Sequence, residues 1–231
     1  MSKHSISDRP AYRIQEAAHY LRIPPATLRA WTLGRDYPVQ DGTRRFEPVI
    51  TPADRAKGYL SFTNLVEAHV LSAIRRQHRI PLSRVREAVR FLRQHFGSER
   101  PLADQQFVTD GLDLFVERLG TLITASAHGQ LAMREVIELH LKRIERDSHG
   151  IPIRLYPFTR AEPDNAPTGP VVIDPTLSFG RPSIRRLGIP TALIAERYKA
   201  GEAVDDLAVD YGADRNEIEE AIRCELEVQA A

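Results

Sequence analysis

Glu16-Ala17-Ala18-His19-Tyr20-Leu21-Arg22-Ile23-Pro24-Pro25-Ala26-Thr27-Leu28-Arg29-Ala30-Trp31 is the stretch that decides the fold of this chain. Ile14, Ala17, Ala18 and Leu21 fall at i, i+3, i+4 and i+7, which predicts a short amphipathic helix over residues 14 to 21. Ile23-Pro24-Pro25 ends it. Proline is tolerated in the first turn of a helix, so Pro25 begins a second one, with Leu28 and Trp31 inward and Thr27, Arg29 and Ala30 outward. Two short helices joined by a tight turn make a helix-turn-helix. Thr27 and Arg29 then sit at the start of the second helix, where a recognition helix meets base edges and phosphates, and Arg22, Arg35, Arg44 and Arg45 flank it. An arginine fork can hold a guanine edge or a phosphate through two bonds, so these six residues are the candidate DNA contacts. The alternative for Arg29 is a solvated helix face.

Downstream of this pair, Gly34 to Gly58 is rich in Pro, Gly, Asp and Arg and suits a wing or long loop rather than a packed element. Helix returns after Ser61, with Phe62, Leu65, Val66, Val70 and Ile74 on one face, and Pro81 closes it. A further helix opens near Ser83. Its Leu82, Val85, Val89, Leu92 and Phe96 are spaced three, four, three and four, a seam that serves either a dimer or packing within the chain. Residues 106 to 126 read as a β-hairpin, since Phe107-Val108, Leu114-Phe115-Val116 and Leu122-Ile123 are separated by Asp-Gly and Leu-Gly. Gln130 to Arg146 predicts a helix burying Leu131, Val136, Ile137, Leu141 and Ile144, and Ile151 to Phe158 alternates like a strand.

Residues 161 to 170 hold three prolines with Asp, Asn, Thr and Gly, the composition of a linker. Beyond it come a strand-like Val171-Val172-Ile173, a helix capped by Thr191 and ending at Gly201, and a helix from about Val204 to Tyr211. A third helix is opened by the capping box Asp214 and Glu217. The form is again helix-turn-helix, but from Gly188 to Ala231 there are 4 Lys+Arg against 11 Asp+Glu. Carboxylates facing phosphates forfeit the counterion release that drives nucleic-acid affinity, so this end reads as a protein-binding module.

The net charge of +1 conceals that asymmetry: residues 1 to 100 carry 18 Lys+Arg against 9 Asp+Glu, and residues 101 to 231 carry 14 against 22. One half suits a polyanion, and the other is repelled by it. At 231 residues two or three small domains are expected. A lone Cys224 excludes an internal disulfide and every cysteine-based zinc pattern, and the eight His lack paired ligand spacing, so neither metal nor cofactor is expected. The start lacks the apolar run of a signal peptide and no stretch suits a membrane span, which predicts a cytoplasmic protein. No nucleophile elbow, phosphate-binding glycine loop or zinc helix occurs, so the expectation is a binding protein, not an enzyme.

The quoted stretch resembles the opening of MerR-family winged helix domains, whose threonine-leucine-arginine step lies in the recognition helix. The resemblance implies that Thr27 and Arg29 face DNA and that Arg44 and Arg45 belong to the wing. That family usually has glycine in the turn where this chain has Arg22; a left-handed turn costs a non-glycine residue about 1 kcal/mol, which leaves room for a turn of different shape. A second resemblance rests on Ile173-Asp174-Pro175, Phe179-Gly180-Arg181-Pro182, Gly188-Ile189-Pro190-Thr191, Gly201-Glu202, Leu207-Ala208, Asp210-Tyr211-Gly212 and Ile218-Glu219-Glu220-Ala221-Ile222. In this order they resemble the domain-of-unknown-function family 433, with one departure, Arg186-Leu187-Gly188, where that family commonly reads glycine-threonine-arginine.

The second family looks like the antitoxin side of VapBC-like modules whose toxin is a PIN-like ribonuclease. The resemblance therefore implies an antitoxin that neutralises such a nuclease and represses its own operon by binding duplex operator DNA. PIN-like nucleases gather carboxylates around Mg²⁺, so Arg181, Arg185 and Arg186 are candidates for reaching them, with Phe179, Ile184 and Tyr198 as apolar anchors. The alternatives are a solvated loop for the three arginines and core packing for the three apolar residues, Tyr198 above all. The expected architecture is mainly α. A MerR-like winged helix-turn-helix occupies 1–100, a small α+β middle region 101–160, a linker 161–170 and an acidic helix-turn-helix-like domain 171–231. A homodimer is expected, because one recognition helix covers a half-site. The competing expectation is a stand-alone MerR-like regulator whose middle region binds a small effector.

Overall fold

A computed structural model of the chain describes residues 6–39, 42–78, 80–157 and 168–226. The fold is mainly helical, and its strands form only two-stranded sheets among the described residues. Two compact units result, residues 1–152 and 153–231. No described helix is long and apolar enough to cross a membrane.

The first unit runs β1 (Tyr12–Arg13), α1 (Ile14–Leu21), α2 (Pro25–Leu33), β2 (Arg35–Val39), β3 (Gly42–Phe46), β4 (Tyr59–Leu60), α3 (Phe62–His78), α4 (Leu82–Phe96), α5 (Leu112–Ile123), α6 (Ala127–Leu141) and β5 (Ile144–Arg146). β6 (Pro152–Leu155) spans the boundary. Helix α1 buries Ala17, Ala18 and Leu21, the stripe its spacing predicts. Helix α3 is the core of the unit, with Phe62, Leu65, Val66, Val70, Leu71 and Ile74 all buried. At its start the buried Asn64 meets four partners. Its Oδ1 accepts from the backbone N–H of Ala53 (2.9 Å) and Ser61 (3.1 Å), and its Nδ2 donates to Thr51 O and Glu67 Oε2 (both 2.9 Å). A buried amide so saturated holds the chain after the wing against α3.

Several expectations are corrected. Residues 106 to 126 form no hairpin: a π-helical turn over Phe107–Gly111 leads straight into α5. Leu112, Phe115, Val116 and Leu119 lie at i, i+3, i+4 and i+7 and are buried, so helical periodicity with packing on α4 and α6 overrides the β propensity of single residues. Gly120, read as a turn, is buried inside α5, where a Cβ would come within 2.6 Å of Gln130. The seam of α4 (Val85, Val89, Leu92) packs against α5 of the same chain, which answers it as an intrachain surface. Helix α6 ends at Leu141, before Arg146, and its Leu131 is 55% exposed rather than buried. Within the expected loop 34–58, Val49 and Ile50 are buried and donate through their N–H groups to Trp31 O (2.8 and 3.0 Å), so the loop is packed at that point. Since α4 packs on α5 and α3 on α6, the first compact unit continues past residue 100.

The second unit contains β7 (Val171–Val172), β8 (Ser183–Ile184), α7 (Thr191–Lys199), α8 (Val204–Tyr211) and α9 (Arg215–Leu226). β7 and β8 pair antiparallel, Val171 with Ile184, and Leu155 bridges to Ile173. Ile194, Leu207, Ile218, Ala221 and Cys224 form the core beneath them. Asp214 N donates to Glu217 Oε2 at 2.9 Å, one half of the expected capping box. Thr191, expected as a cap, is the first helical residue after Pro190, and its hydroxyl donates to Pro182 O at 3.2 Å and meets Glu225 Oε1. Of the expected strand 151–158, Phe158 lies outside the described residues, as do residues 161–167 of the expected linker.

Candidate functional site

In the first unit the turn between α1 and α2 keeps a left-handed residue although it is arginine: Arg22 has φ 52° and ψ 45°. Its N–H donates to His19 O (3.1 Å) and the N–H of Ile23 donates to Ala18 O (2.9 Å), so the helix end is closed by backbone bonds that need this conformation. Pro24 then caps α2, its carbonyl accepting from Thr27 N (2.9 Å) and Leu28 N (3.1 Å). Leu28 and Trp31 are buried, which turns Arg29 to solvent and leaves Thr27 half-buried.

Helix α2 passes into the wing through Gly34, at φ 82°, where an added Cβ would lie 2.6 Å from Phe46 O. Both the backbone angle and the approach require glycine there. The wing is the β2–β3 hairpin, with Arg35 opposite Phe46, Asp36 opposite Arg45 and Tyr37 opposite Arg44. Arg44 is exposed. Arg45 is occupied: its Nη1 meets Asp36 Oδ1 at 3.4 Å and its Nη2 donates to Leu33 O at 3.1 Å, tying the wing to the end of α2. The six candidate DNA residues thus lie on three adjoining elements, the turn (Arg22), helix α2 (Thr27, Arg29) and the wing (Arg35, Arg44, Arg45). Two features had no sequence signal: the Arg45 tie, and the guanidinium of Arg86 of α4 stacked 4.0 Å above the Phe46 ring.

In the second unit, Phe179 stands 93% exposed at φ 58°, directly after Ser178 at φ 47°. Two successive left-handed non-glycine residues are strained by roughly 1 to 2 kcal/mol each. The loop is nonetheless tightly built. Ser178 Oγ donates to Gly188 O, Gly180 N to Leu177 O (2.8 Å) and Leu177 N to Asp174 O (3.0 Å). The buried Asp174 itself accepts from Arg154 Nε at 2.8 Å. Arg181 is exposed and makes no ion pair among the described residues. Arg186 is occupied by Glu217 Oε2 (3.0 Å) and Gly212 O (2.8 Å), and Arg185 lies 5.6 Å over the Tyr156 ring. Ile184, expected at a partner face, is fully buried in β8 and is corrected to a core residue; Tyr198 is 39% exposed. Most other cations here are answered within the unit, Arg197 by Glu202 and Asp210, Arg215 by Asp205 and Glu219, and Arg223 by Glu220. Among the described residues no cluster of three or more His, Cys, Asp or Glu is placed to hold a metal ion.

A helix pair with a left-handed turn, followed by a wing, places this chain in the helix-turn-helix class. Residues 10–89 match the family described as "Putative DNA-binding HTH domain", and residues 171–223 match "Protein of unknown function (DUF433)". The chain belongs to the family of the Mycobacterium tuberculosis protein named "Putative antitoxin VapB45", to which it is 30% identical over 93% of each chain. It is also 26% identical to "Uncharacterized protein Rv2308" of the same organism, over 96% of this chain and 92% of that one. The crystal structure of Rv2018 from Mycobacterium tuberculosis shares the fold, with a TM-score of 0.67 at 24% identity over 93% of this chain and 97% of that one.

Proposed function

We propose that this chain is the antitoxin and self-repressor of a VapBC-like toxin–antitoxin pair. The observation that carries the reading is the placement of two unlike surfaces in two compact units. Exposed cations flank a recognition helix in the first, and a strained, exposed Phe179 with Arg181 stands on the second. The first surface suits operator DNA. Hydrogen bonds within the loop hold the strained backbone, and a ring left in solvent by it suits a partner whose burial of that ring would offset the cost. The partner is a PIN-like ribonuclease, whose metal-binding carboxylates suit Arg181, and Arg185 stands within reach of the same surface. Residues 1–100 act as the DNA module and residues 171–231 as the partner module. A homodimer is expected through α6, where Leu131 and Leu139 are 55% and 58% exposed, rather than through the occupied seam of α4.

The test is titration of the intact chain with the product of the adjacent reading frame, with RNA cleavage and binding to the chain's own promoter DNA followed together. Heat of binding, loss of cleavage and a shifted promoter fragment are the expected results; undiminished cleavage overturns the antitoxin reading. One observation favours a second reading, an effector-controlled regulator. The first unit holds a cleft of about 1110 Å³ bordered by Asp8, Arg100, Asp104, Gln105 and His149. Undiminished cleavage together with retained promoter binding would point there.

A further inference from the structure

Helix α4 lies outside the helix pair and the wing, yet its first turns border the recognition helix. Between α2, the wing and the start of α4 runs an open groove of about 690 Å³ lined by Arg35, Arg45, Arg75 and Arg86, with no carboxylate in its lining. Thr27 and Ala30 of α2 form one wall, and Ser83 presents its hydroxyl from the first turn of α4. The four arginines are not equally free. Arg45 is tied to Asp36 and Leu33, and Arg75 donates to Ile80 O. Arg86 is different: its guanidinium stacks on Phe46 while its Nε and Nη2 are shielded from water without a hydrogen-bond partner. Burial, and then the neighbouring Arg90, oppose its charge, and Glu47 and Tyr37 only partly offset them. Two of the three guanidinium nitrogens have thus lost hydration without gaining an acceptor, which makes the cation a ready partner for an anion entering the groove.

We propose that this groove is a phosphate-binding pocket for the backbone of duplex DNA, with Arg86 as the principal partner of the phosphodiester. The inference rests on the DNA-binding reading of the first unit. Thr27 links the two, because it belongs both to the first turn of the recognition helix and to the groove wall. A duplex seated on α2 carries closely spaced phosphates past any cationic groove beside that helix. The other large cleft of this unit mixes acids with bases and offers no such match. Stacking on Phe46 also ties α4 to the base of the wing, so one side chain would fix the backbone and brace the wing.

The test uses the full-length chain with two short duplexes, its own promoter DNA and a shuffled sequence of the same composition. Binding is measured by fluorescence anisotropy over a series of KCl concentrations. Arg86→Gln is expected to weaken both duplexes by a similar factor, roughly tenfold at low salt, and to lower the slope of log affinity against log salt by about 1. Arg86→Lys restores the slope. Arg29→Ala, by contrast, weakens the promoter duplex more than the shuffled one. Unchanged affinity in Arg86→Gln overturns the proposal. So does weaker binding with an unchanged slope, which is the signature of a brace that never meets phosphate. If the unaltered chain binds neither duplex, the DNA-binding reading falls and this pocket with it.

Discussion

The side-chain amide of Asn64 donates to the carboxylate of Glu67 at 2.9 Å, and neither residue meets solvent. Burial pushes the Glu67 carboxyl up to about 7, against the lowering effects of Asn64, Arg100 and Arg93. A carboxyl whose folded value exceeds its unfolded one takes up a proton on folding. The stabilisation is therefore complete below about 4.5 and is lost as pH rises through about 7. Urea denaturation between pH 5 and 8 should show stability falling with pH by up to a few kcal/mol. Glu67→Gln should flatten that profile; an unaltered slope in the variant would place the titration elsewhere.

Gly34 joins α2 to the β2–β3 hairpin with no room for a side chain. Gly34→Ala meets both a positive φ and a 2.6 Å approach to the Phe46 carbonyl. It should destabilise the first unit by roughly 2 kcal/mol or more and detach the wing from α2. Thermal melting and promoter binding should decline together.

Arg29 faces solvent on α2 while its neighbour Leu28 is buried. Arg29→Ala should leave stability within about 0.5 kcal/mol of the original. If it reads a base, affinity for the chain's own promoter should drop by roughly 1 to 3 kcal/mol. A gel-shift titration that shows no drop removes Arg29 from the interface.

Phe179 and Ile184 stand five residues apart and should answer to opposite assays. Phe179→Gly relieves a left-handed phenylalanine and should raise the melting temperature while costing partner affinity about 2 kcal/mol or more. Ile184→Ala, in the core of the second unit, should lower stability by roughly 2 to 4 kcal/mol. Calorimetric binding that is indifferent to Phe179→Gly would dismiss the ring as an anchor.

The double substitution Leu131→Lys and Leu139→Lys places charge on two exposed apolar positions about 12 Å apart along α6. Light scattering should report a monomer for this variant and a dimer for the parent. A parent that is already monomeric with promoter DNA bound refutes the expected symmetry.

The helix pair is readable because Pro24-Pro25 and the spacing of Ile14, Ala17, Ala18 and Leu21 leave few alternatives; α1 spans the residues that spacing predicts, and α2 begins at Pro25. Helix α5 was misread because Phe107-Val108 and Leu114-Phe115-Val116 satisfy strand propensity locally, while the helical stripe is rewarded only by packing on α4 and α6. Site residues followed the same division. Exposure of Arg29 and Arg44 follows from local alternation. The occupation of Arg186 by Glu217, thirty-one positions away, and of Arg86 by Phe46 depends on tertiary neighbours that no local pattern encodes.

Ser178 and Phe179 both hold left-handed backbone without being glycine, side by side in the loop that leaves the Phe179 ring in solvent. If the Phe179 ring docks a partner as proposed, heat resistance and recognition pull these positions in opposite directions. A laboratory lineage selected only to survive boiling would be expected to accumulate glycine at both, growing hardier as it shed the exposed ring.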